Sequence, residues 1–321
     1  MIEQDFLHIV EGAAAGSLQP RAQVAVAGKD RASFLQGFLT NDVEALRPGA
    51  GCYAAWLTPQ GRMLTDMHVL ESEGMMLLDL PASTAEATLA RLDQFHFGED
   101  VTLSALSGSL TSLWLHGPRA AAVLETAIQG AAGLGTWAQY QHQPLQFQGQ
   151  PVVVARIDQL GVPGYCVFLP PAIQDALWTT LAAAGAAAVA QEAIDAARIE
   201  AGYPIFGSDM KEDTIPLEAG IEDRAISTSK GCYVGQEVII RVLHRGHGRV
   251  AKHLVGLAID GPMPPAGAPI ASGDREVGRV TSAAVSPRAG TVALGYVHRD
   301  FAAAGTELSV GDARTRARVR A

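Results

Sequence analysis

Lys-Gly-Cys-Tyr-Val-Gly-Gln-Glu, residues 230–237, is the stretch from which the rest of the chain can be interpreted. Its two glycines allow a tight backbone turn or the close approach of another segment. Lys230 places a positive charge two residues before Cys232, and a nearby cation favours the thiolate form of a cysteine. We therefore predict that Cys232 is a reactive thiol and that Lys230 supports its chemistry. A redox reaction, ligation of a metal or cluster, and covalent catalysis are all open, and a buried structural cysteine is the alternative.

The first two thirds of the chain repeat one pattern. Residues 24–39 and 113–128 each contain a short apolar strand, a glycine turn and a helix with apolar residues four apart. A second strand-to-helix unit follows in both places, at 75–92 and 165–181, again about ninety residues apart. A turn-linked pair of strands is predicted within each repeat. The pattern indicates two related αβ halves.

The last part of the chain has a different pattern. After Gly246, short β-rich runs at 253–259, 276–285, 291–297 and 307–310 are separated by glycine and proline turns, which favours a small antiparallel barrel or sandwich. We predict an α+β protein with a first αβ half over 1–105, a second over 106–245 and a C-terminal unit over 246–321. The linker is expected at 244–248.

Composition limits the class of protein. The chain has 321 residues and a net charge of −9, which argues against direct nucleic-acid binding. Its three cysteines lie far apart, as expected for a reducing cytoplasm rather than a disulfide framework. We predict no membrane association, since no apolar run approaches the length of a span. His244 and His247 are three apart but lack further ligands at matching spacing, so no metal site is predicted.

The K-G-C-Y-x-G-Q-E run resembles the YgfZ family, folate-binding proteins related to the aminomethyltransferase of the glycine cleavage system. Three further stretches are similar to that family and follow its order, so the resemblance covers about residues 25 to 320. They are Thr40-Asn41-Asp42, the turn Pro59-Gln60-Gly61-Arg62 with Asp66, and Arg198-Ile199-Glu200-Ala201-Gly202-Tyr203-Pro204.

The resemblance implies a folate site. The two αβ halves and the barrel would surround a central cavity that holds tetrahydrofolate or a one-carbon derivative. Glu200 matches the glutamate that binds the pterin ring in the family, and a carboxylate can accept two N–H hydrogen bonds from a pterin edge. The other residues that the resemblance assigns to folate binding are Asn41, Asp42, Arg62, Tyr233, Gln236, Glu237 and Arg241.

The resemblance also implies a function. Aminomethyltransferases carry a catalytic aspartate that we align near Ala87, and no aspartate lies between Asp79 and Asp93. We therefore predict a monomeric, tetrahydrofolate-binding accessory protein for iron–sulfur cluster assembly or repair, without turnover. Its partners would be iron–sulfur client or assembly proteins, including enzymes of tRNA modification. The alternative is a folate-dependent aminomethyltransferase or demethylase.

Overall fold

The computed structural model describes residues 2–245 and 249–320. The first half contains a five-stranded sheet in the order β3-β4-β5-β2-β6, with antiparallel neighbours. The elements in chain order are α1 (Ile2–Val10), β1 (Ala14–Ala15), β2 (Arg21–Ala27), α2 (Arg31–Gln36), β3 (Ala50–Leu57), β4 (Met63–Ser72), β5 (Met75–Pro81), α3 (Ala82–Gln94) and β6 (Thr102–Ala105).

The second half contains a six-stranded sheet in the order β11-β1-β7-β10-β9-β8. Its elements are β7 (Thr111–His116), α4 (Ala120–Ala127), β8 (His142–Phe147), β9 (Gln150–Arg156), β10 (Gly164–Leu169), α5 (Gln174–Ala183), β11 (Ala187–Ala188) and α6 (Gln191–Glu200). A long irregular segment follows and contains α7 (Glu222–Ala225) and α8 (Gln236–Ile240), which continues into a π-helical turn over Arg241–Arg245.

The two halves share one plan. The order β3-β4-β5-β2 in the first sheet corresponds to β8-β9-β10-β7 in the second. In chain order, a helix follows the first and the fourth strand of each repeat: α2 and α3 in the first half, and α4 and α5 in the second. This shared order confirms the predicted pair of related αβ halves. Strand β1 comes from the N-terminal segment but lies in the second sheet, between β11 and β7. The predicted first unit, 1–105, therefore includes a strand of the other half, and the domain boundaries stay a prediction.

The halves pack against each other through an apolar core. Tyr53 and Leu77 from the first sheet lie in one buried cluster with Trp114, Cys166 and Phe168 from the second. Burial of these side chains removes a large apolar area from water, which holds the two sheets together. The cavity described below lies at the polar margin of this core.

The C-terminal unit is a closed antiparallel barrel in the order β12-β15-β14-β13-β16-β17, which confirms the predicted barrel. Its strands are β12 (Lys252–Ile259), β13 (Pro269–Ser272), β14 (Arg275–Ser286), β15 (Gly290–His298), β16 (Glu307–Val310) and β17 (Thr315–Val319). Strand β14 contacts α6, so the barrel packs against the second half. Residues 246–248 of the predicted linker lie outside the described residues. No helix in the described ranges is long and apolar enough to cross a membrane.

Candidate functional site

A narrow cavity lies where the two halves meet. Strands β2, β3, β4 and β7 contribute to it, together with the segments that follow β1, β9 and α6. Its open volume is ≈ 10 Å³, about the space of one water molecule. Among the side chains that line it are Ser17, Arg21, Tyr53, Asp66, His68, Trp114, Gln159 and Tyr203. We call this space the central cavity.

Asp66 is a carboxylate with one oxygen free for a ligand. The residue is 5% exposed, and the hydroxyl of Tyr53 donates a 2.6 Å hydrogen bond to its Oδ2. Its Oδ1 has no hydrogen-bond partner among the described residues. A buried polar atom without a partner is costly and is uncommon in native proteins. The open oxygen is therefore suited to accept a hydrogen bond from a bound molecule.

Arg224 covers the tyrosines of the central cavity. Its guanidinium carbon lies 4.7 Å from the ring centroid of Tyr53 and 4.0 Å from that of Tyr203, distances typical of cation–π contacts. Asn41 fixes the backbone of two of these residues, because its Nδ2 donates to the carbonyl oxygen of Tyr53 at 2.8 Å and to that of Arg224 at 3.1 Å. The predicted site residue Asn41 thus positions the tyrosine and the arginine.

His68 is a neutral side chain next to these charges. Burial lowers its pKa well below the usual value, and the cations Arg21 and Arg224 lower it further. One ring nitrogen, Nε2, lies 3.0 Å from Nε2 of Gln159, and Nδ1 has no partner among the described residues. Because the Gln159 amide nitrogen can only donate, Nε2 of His68 accepts and Nδ1 carries the hydrogen, so His68 can donate a hydrogen bond to a ligand through Nδ1.

A buried ion pair supports the same wall. Arg21 and Asp79 are joined at 2.8 Å, with side chains 7% and 0% exposed, and Gln23 donates a 2.9 Å hydrogen bond to the other oxygen of Asp79. Burial raises the pKa of Asp79, and the Arg21 cation opposes that rise. Because all the oxygens of Asp79 have partners, this pair is a structural support and Asp66 is the open acid.

Lys230 has a role that the sequence did not predict. Its ammonium is buried and donates to the backbone oxygens of Gln36, Leu39 and Asn41 at 2.7, 2.6 and 2.9 Å. Burial lowers the pKa of Lys230 to about 8, and the Asp42 carboxylate opposes this. The lysine therefore joins residues 227–235 to the end of α2. A partnership between Lys230 and the Cys232 thiol stays a prediction.

The three cysteines differ in exposure. Cys232 is exposed, whereas Cys52 and Cys166 are buried. Burial raises the pKa of Cys52 to about 12, and the Lys230 cation opposes that rise. Burial also raises the pKa of Cys166 well above its usual value. Cys232 is therefore the cysteine that a reagent or a partner can reach, and its predicted reactivity stays a prediction.

Gly235 allows the 230–237 stretch to pack closely against the first half. Gly235 has φ +86°, and a Cβ there would lie 2.5 Å from the carbonyl oxygen of Thr58 and 3.3 Å from Cα of Gly61. The stretch therefore rests against the β3–β4 turn of the first half, and α8 begins directly after Gly235. These residues form a helix although Val238, Ile239 and Ile240 are β-branched, a residue type that favours strands.

The remaining predicted site residues lie at the periphery. Tyr233 is buried beneath the Lys230 ammonium, which lies 5.1 Å from its ring centroid, and burial raises its pKa to about 12. Asp42 accepts from Gln36 at 2.9 Å within its own turn. Arg62 donates to the carbonyl oxygen of Asp213. The others, Gln236, Glu237 and Arg241, are half-buried or exposed around α8. Their roles toward folate stay predictions.

Glu200 faces the barrel in this structure. Its Oε2 accepts a hydrogen bond from Ser286, and its Oε1 accepts from Nε of Arg288 at 2.7 Å. Its neighbour in the chain, Tyr203, lines the central cavity, whereas Glu200 is not among the side chains that line it. The carboxylate predicted to anchor the pterin therefore already has partners, and its anchoring role stays a prediction.

Ala87 does not line the central cavity. Ala87 lies on α3 and lines a separate small cleft with Arg91 and Glu212. The acid of the central cavity is supplied by β4, where Thr65 and Asp66 point to opposite faces of the sheet: Thr65 bonds to Thr84 at 2.7 Å, toward α3. The absence of an aspartate near Ala87 therefore gives no reason to exclude transfer chemistry.

Sequence reasoning missed most of the side chains that line the central cavity. Those not predicted are Ser17, Arg21, Tyr53, His68, Trp114 and Gln159, and Asp66 and Tyr203 appeared only as members of longer stretches. Arg224, which contacts Tyr53 and Tyr203, was also not predicted. A signal existed for His68, since it lies two residues after Asp66 on a strand and must share its face. No local pattern identifies Arg224. No group of three or more potential ligands in the described residues could hold a metal ion.

Comparison with known proteins gives consistent matches. Residues 1–230 match the GCVT N-terminal domain, and residues 252–321 match the glycine cleavage T-protein C-terminal barrel domain. An aminomethyltransferase of Thermosynechococcus vestitus is 32% identical over 278 residues, 86% of this chain and 74% of that protein. One of Rubrobacter xylanophilus is 33% identical over 277 residues, 86% of this chain and 73% of that protein.

A solved structure matches the whole chain. The crystal structure of glycine cleavage system aminomethyltransferase T from Bartonella henselae superposes with a TM-score of 0.88 at 26% sequence identity. The match covers 100% of this chain and 88% of that one. These relatives support the transferase alternative of the sequence analysis, and none of the comparisons supports the iron–sulfur role.

Proposed function

Because the chain belongs to the glycine cleavage T-protein family, we propose that it binds tetrahydrofolate in the central cavity and transfers a one-carbon unit to it from an aminomethyl donor. The observation that carries this proposal is the open oxygen of Asp66, a buried carboxylate atom with no partner among the described residues. A reduced pterin presents adjacent N–H groups, which are the donors such an oxygen lacks. The hydroxyl of Tyr53 holds the other oxygen and so orients the carboxylate.

The cavity must widen to accept a pterin. Its open volume of ≈ 10 Å³ holds about one water molecule, and the rings of Tyr53 and Tyr203 are in contact with Arg224. Tyr203 lies in the irregular segment after α6, outside any strand. We infer that this segment moves on binding.

The proposed reaction balances without a further reagent. In an aminomethyl thioether donor, the C–S and C–N bonds of the transferred carbon break, and two C–N bonds form to N5 and N10 of tetrahydrofolate. The hydrogens of N5 and N10 leave with the thiol and with ammonia. Asp66 can accept and return a proton during these steps, and neutral His68 can donate a hydrogen bond to the ligand from Nδ1.

Two carboxylates are compared in the test. Asp66→Asn keeps the size of the side chain and removes its charge, and we expect tetrahydrofolate affinity to fall by about 1.5–3 kcal/mol, the range for a hydrogen bond to a charged group. Glu200→Gln is measured alongside, because the family resemblance assigns the pterin to Glu200. Calorimetry on both variants decides which acid binds the ring. Unchanged affinity in Asp66→Asn would remove this residue from the site.

Activity is tested separately. Purified protein is mixed with tetrahydrofolate and an aminomethyl-lipoyl donor, and methylene-tetrahydrofolate is measured over time. A folate-dependent rate that Asp66→Asn lowers by about tenfold or more supports the transferase proposal. Binding of tetrahydrofolate without any rate above background would restrict the protein to folate binding.

A second candidate function rests on Cys232. One-carbon transfer as written needs no thiol on this chain, yet Cys232 is exposed within the 230–237 stretch. We propose, on this separate observation, the accessory role in iron–sulfur cluster assembly or repair. A deletion strain that regains its iron–sulfur enzyme activity with the wild-type gene but not with Cys232→Ala would support it. Full rescue by Cys232→Ala would reject it.

A further inference from the structure

We propose that Arg224 binds a carboxylate group of the molecule that enters the central cavity. The inference rests on the proposed function to the extent that the central cavity is the ligand site. It goes beyond that function by assigning the ligand a carboxylate group, in addition to the N–H donors that would meet Asp66. No pattern in the sequence identifies Arg224 as a site residue. Only the folded structure brings it into contact with Tyr53 and Tyr203.

The position of the guanidinium is fixed by aromatic contacts. Its carbon lies 4.0 Å from the ring centroid of Tyr203 and 4.7 Å from that of Tyr53. Asn41 also bonds to the carbonyl oxygen of Arg224, at 3.1 Å, which fixes the backbone that carries it. Ring faces neutralise no charge and accept no ordinary N–H hydrogen bond, so these contacts orient the cation without pairing it.

The cation has no acid of its own. Within residues 2–245 and 249–320, no carboxylate lies within ion-pair distance of the Arg224 guanidinium, and none of its N–H groups has a recorded acceptor. By contrast, the neighbouring Arg21 is fully paired with Asp79. A half-buried arginine with free donors is suited to bind a carboxylate through two parallel hydrogen bonds.

Tyr53 keeps the cation and the open acid apart. Its hydroxyl bonds to Oδ2 of Asp66 at 2.6 Å, while its ring face is covered by Arg224. Asp66 lines the central cavity, whereas Arg224 does not line it and lies against Tyr53 and Tyr203, which do, so the two charges stay unpaired on either side of the Tyr53 ring. A ligand that carries N–H donors at one point and a carboxylate at another would satisfy both.

Two sources could supply the carboxylate. One is the glutamate portion of tetrahydrofolate itself, and the other is a small amino acid that donates the carbon unit. The chemistry at Arg224 is the same in both cases. Probes with and without the carboxylate distinguish them.

The experiment uses calorimetry on the full chain with matched probes. The folate pair is tetrahydrofolate and 6-methyltetrahydropterin, which keeps the ring and lacks a carboxylate. The amino-acid pair is glycine and glycinamide. Wild type is compared with Arg224→Lys, which keeps the cation, and with Arg224→Gln, which removes it. Circular dichroism confirms that each variant folds.

The expected result is a selective loss. If folate supplies the carboxylate, Arg224→Gln weakens tetrahydrofolate binding tenfold or more and leaves 6-methyltetrahydropterin within twofold, with Arg224→Lys between. If an amino acid supplies it, wild type binds glycine but not glycinamide, and Arg224→Gln loses glycine binding. If Arg224→Gln does not fold, the wild-type preference within each pair and its reduction in Arg224→Lys carry the test.

Several results would overturn the proposal. Equal weakening of both members of a pair would mean that Arg224 only supports the cavity, and tighter binding in Arg224→Gln would mean that it blocks entry. Failure of every carboxylate probe to bind the wild type would also reject it. If tetrahydrofolate and 6-methyltetrahydropterin both fail but glycine binds through Arg224, the folate proposal fails and the carboxylate site stands.

Discussion

Tyr53 donates a 2.6 Å hydrogen bond to Asp66 and leaves the second oxygen of that carboxylate open toward the central cavity. The two residues come from neighbouring strands β3 and β4 of one hairpin, so the sheet itself sets their separation. Burial, and then the Asp66 charge, raise the pKa of the Tyr53 hydroxyl well above its usual value. The tyrosine therefore acts as a donor throughout the neutral range.

Tyr53→Phe should destabilise the protein and weaken ligand binding. The substitution leaves both oxygens of a buried carboxylate without a protein partner, which costs about 1–3 kcal/mol of unfolding free energy. Ring contact with Arg224 is kept, so a loss of affinity for tetrahydrofolate would reflect the orientation of Asp66. Urea unfolding and calorimetry measure the two effects. Wild-type stability in the variant would contradict a structural role for this hydrogen bond.

Lys230→Met should be strongly destabilising. It removes the ammonium that donates to the backbone oxygens of Gln36, Leu39 and Asn41, of which Leu39 is buried and the other two are half-buried, so three hydrogen bonds are lost at once. We expect a loss of about 3 kcal/mol in urea unfolding. The matched control is Lys29→Met, because the Lys29 side chain is 76% exposed and should contribute less than about 0.5 kcal/mol. Equal losses in the two variants would show that Lys230 does not join the segments.

Gly235→Ala should disrupt the contact between the 230–237 stretch and the β3–β4 turn. Gly235 has φ +86°, and a Cβ would lie 2.5 Å from the carbonyl oxygen of Thr58, so we expect a loss of about 3 kcal/mol. Gly231→Ala is the control, since no atom lies within 4 Å of a Cβ at Gly231. If the urea midpoints of both variants equal that of the wild type, Gly235 is not required for the contact between the 230–237 stretch and the β3–β4 turn.

Cys232 should be the first thiol to react in the native protein. Burial shields Cys52 and Cys166 and raises the pKa of both thiols, that of Cys52 to about 12. Iodoacetamide followed by mass spectrometry should therefore label Cys232 alone at pH 8 in the folded state. All three cysteines should be labelled in denaturant. Native labelling of Cys166 at the rate of Cys232 would contradict the burial described here.

His116 should make the protein less stable in mild acid. Burial lowers its pKa to about 4, whereas the unfolded chain binds the proton near pH 6.5. Between these values only the unfolded state gains the proton, so the unfolding free energy falls as pH falls, by about 1.4 kcal/mol per pH unit. Below pH 4 this contribution ends.

His116→Gln tests that slope. Glutamine can keep an N–H donor for the carbonyl oxygen of Gly16, which lies 3.0 Å from Nε2 of the histidine, but it takes up no proton. Unfolding free energies measured from pH 7 to 4 should therefore fall less steeply in the variant. Buried His68 still contributes, so the curve should not become flat. Identical slopes would show that His116 titrates normally in the folded state.

The local patterns of the sequence determined the architecture. Strand-and-helix periodicity, turn residues and the repeat about ninety residues apart predicted two αβ halves and a β-barrel, because each depends on neighbouring residues in the chain. The 230–237 stretch also predicted a reactive thiol at Cys232, which stays a prediction, and the structure leaves that cysteine exposed. Strand β1 was missed, since two alanines carry no pattern and are placed by pairing with a distant part of the sheet.

The site itself was decided by tertiary structure. Arg224 meets Tyr53 and Tyr203 only because the irregular segment after α6 folds back over the first sheet, and no spacing rule connects residues so far apart in the chain. The same packing gives Glu200 its partners in the barrel and leaves Asp66 with an open oxygen. Sequence can name carboxylates, but which of them lacks a partner depends on every donor that the fold brings within about 3 Å.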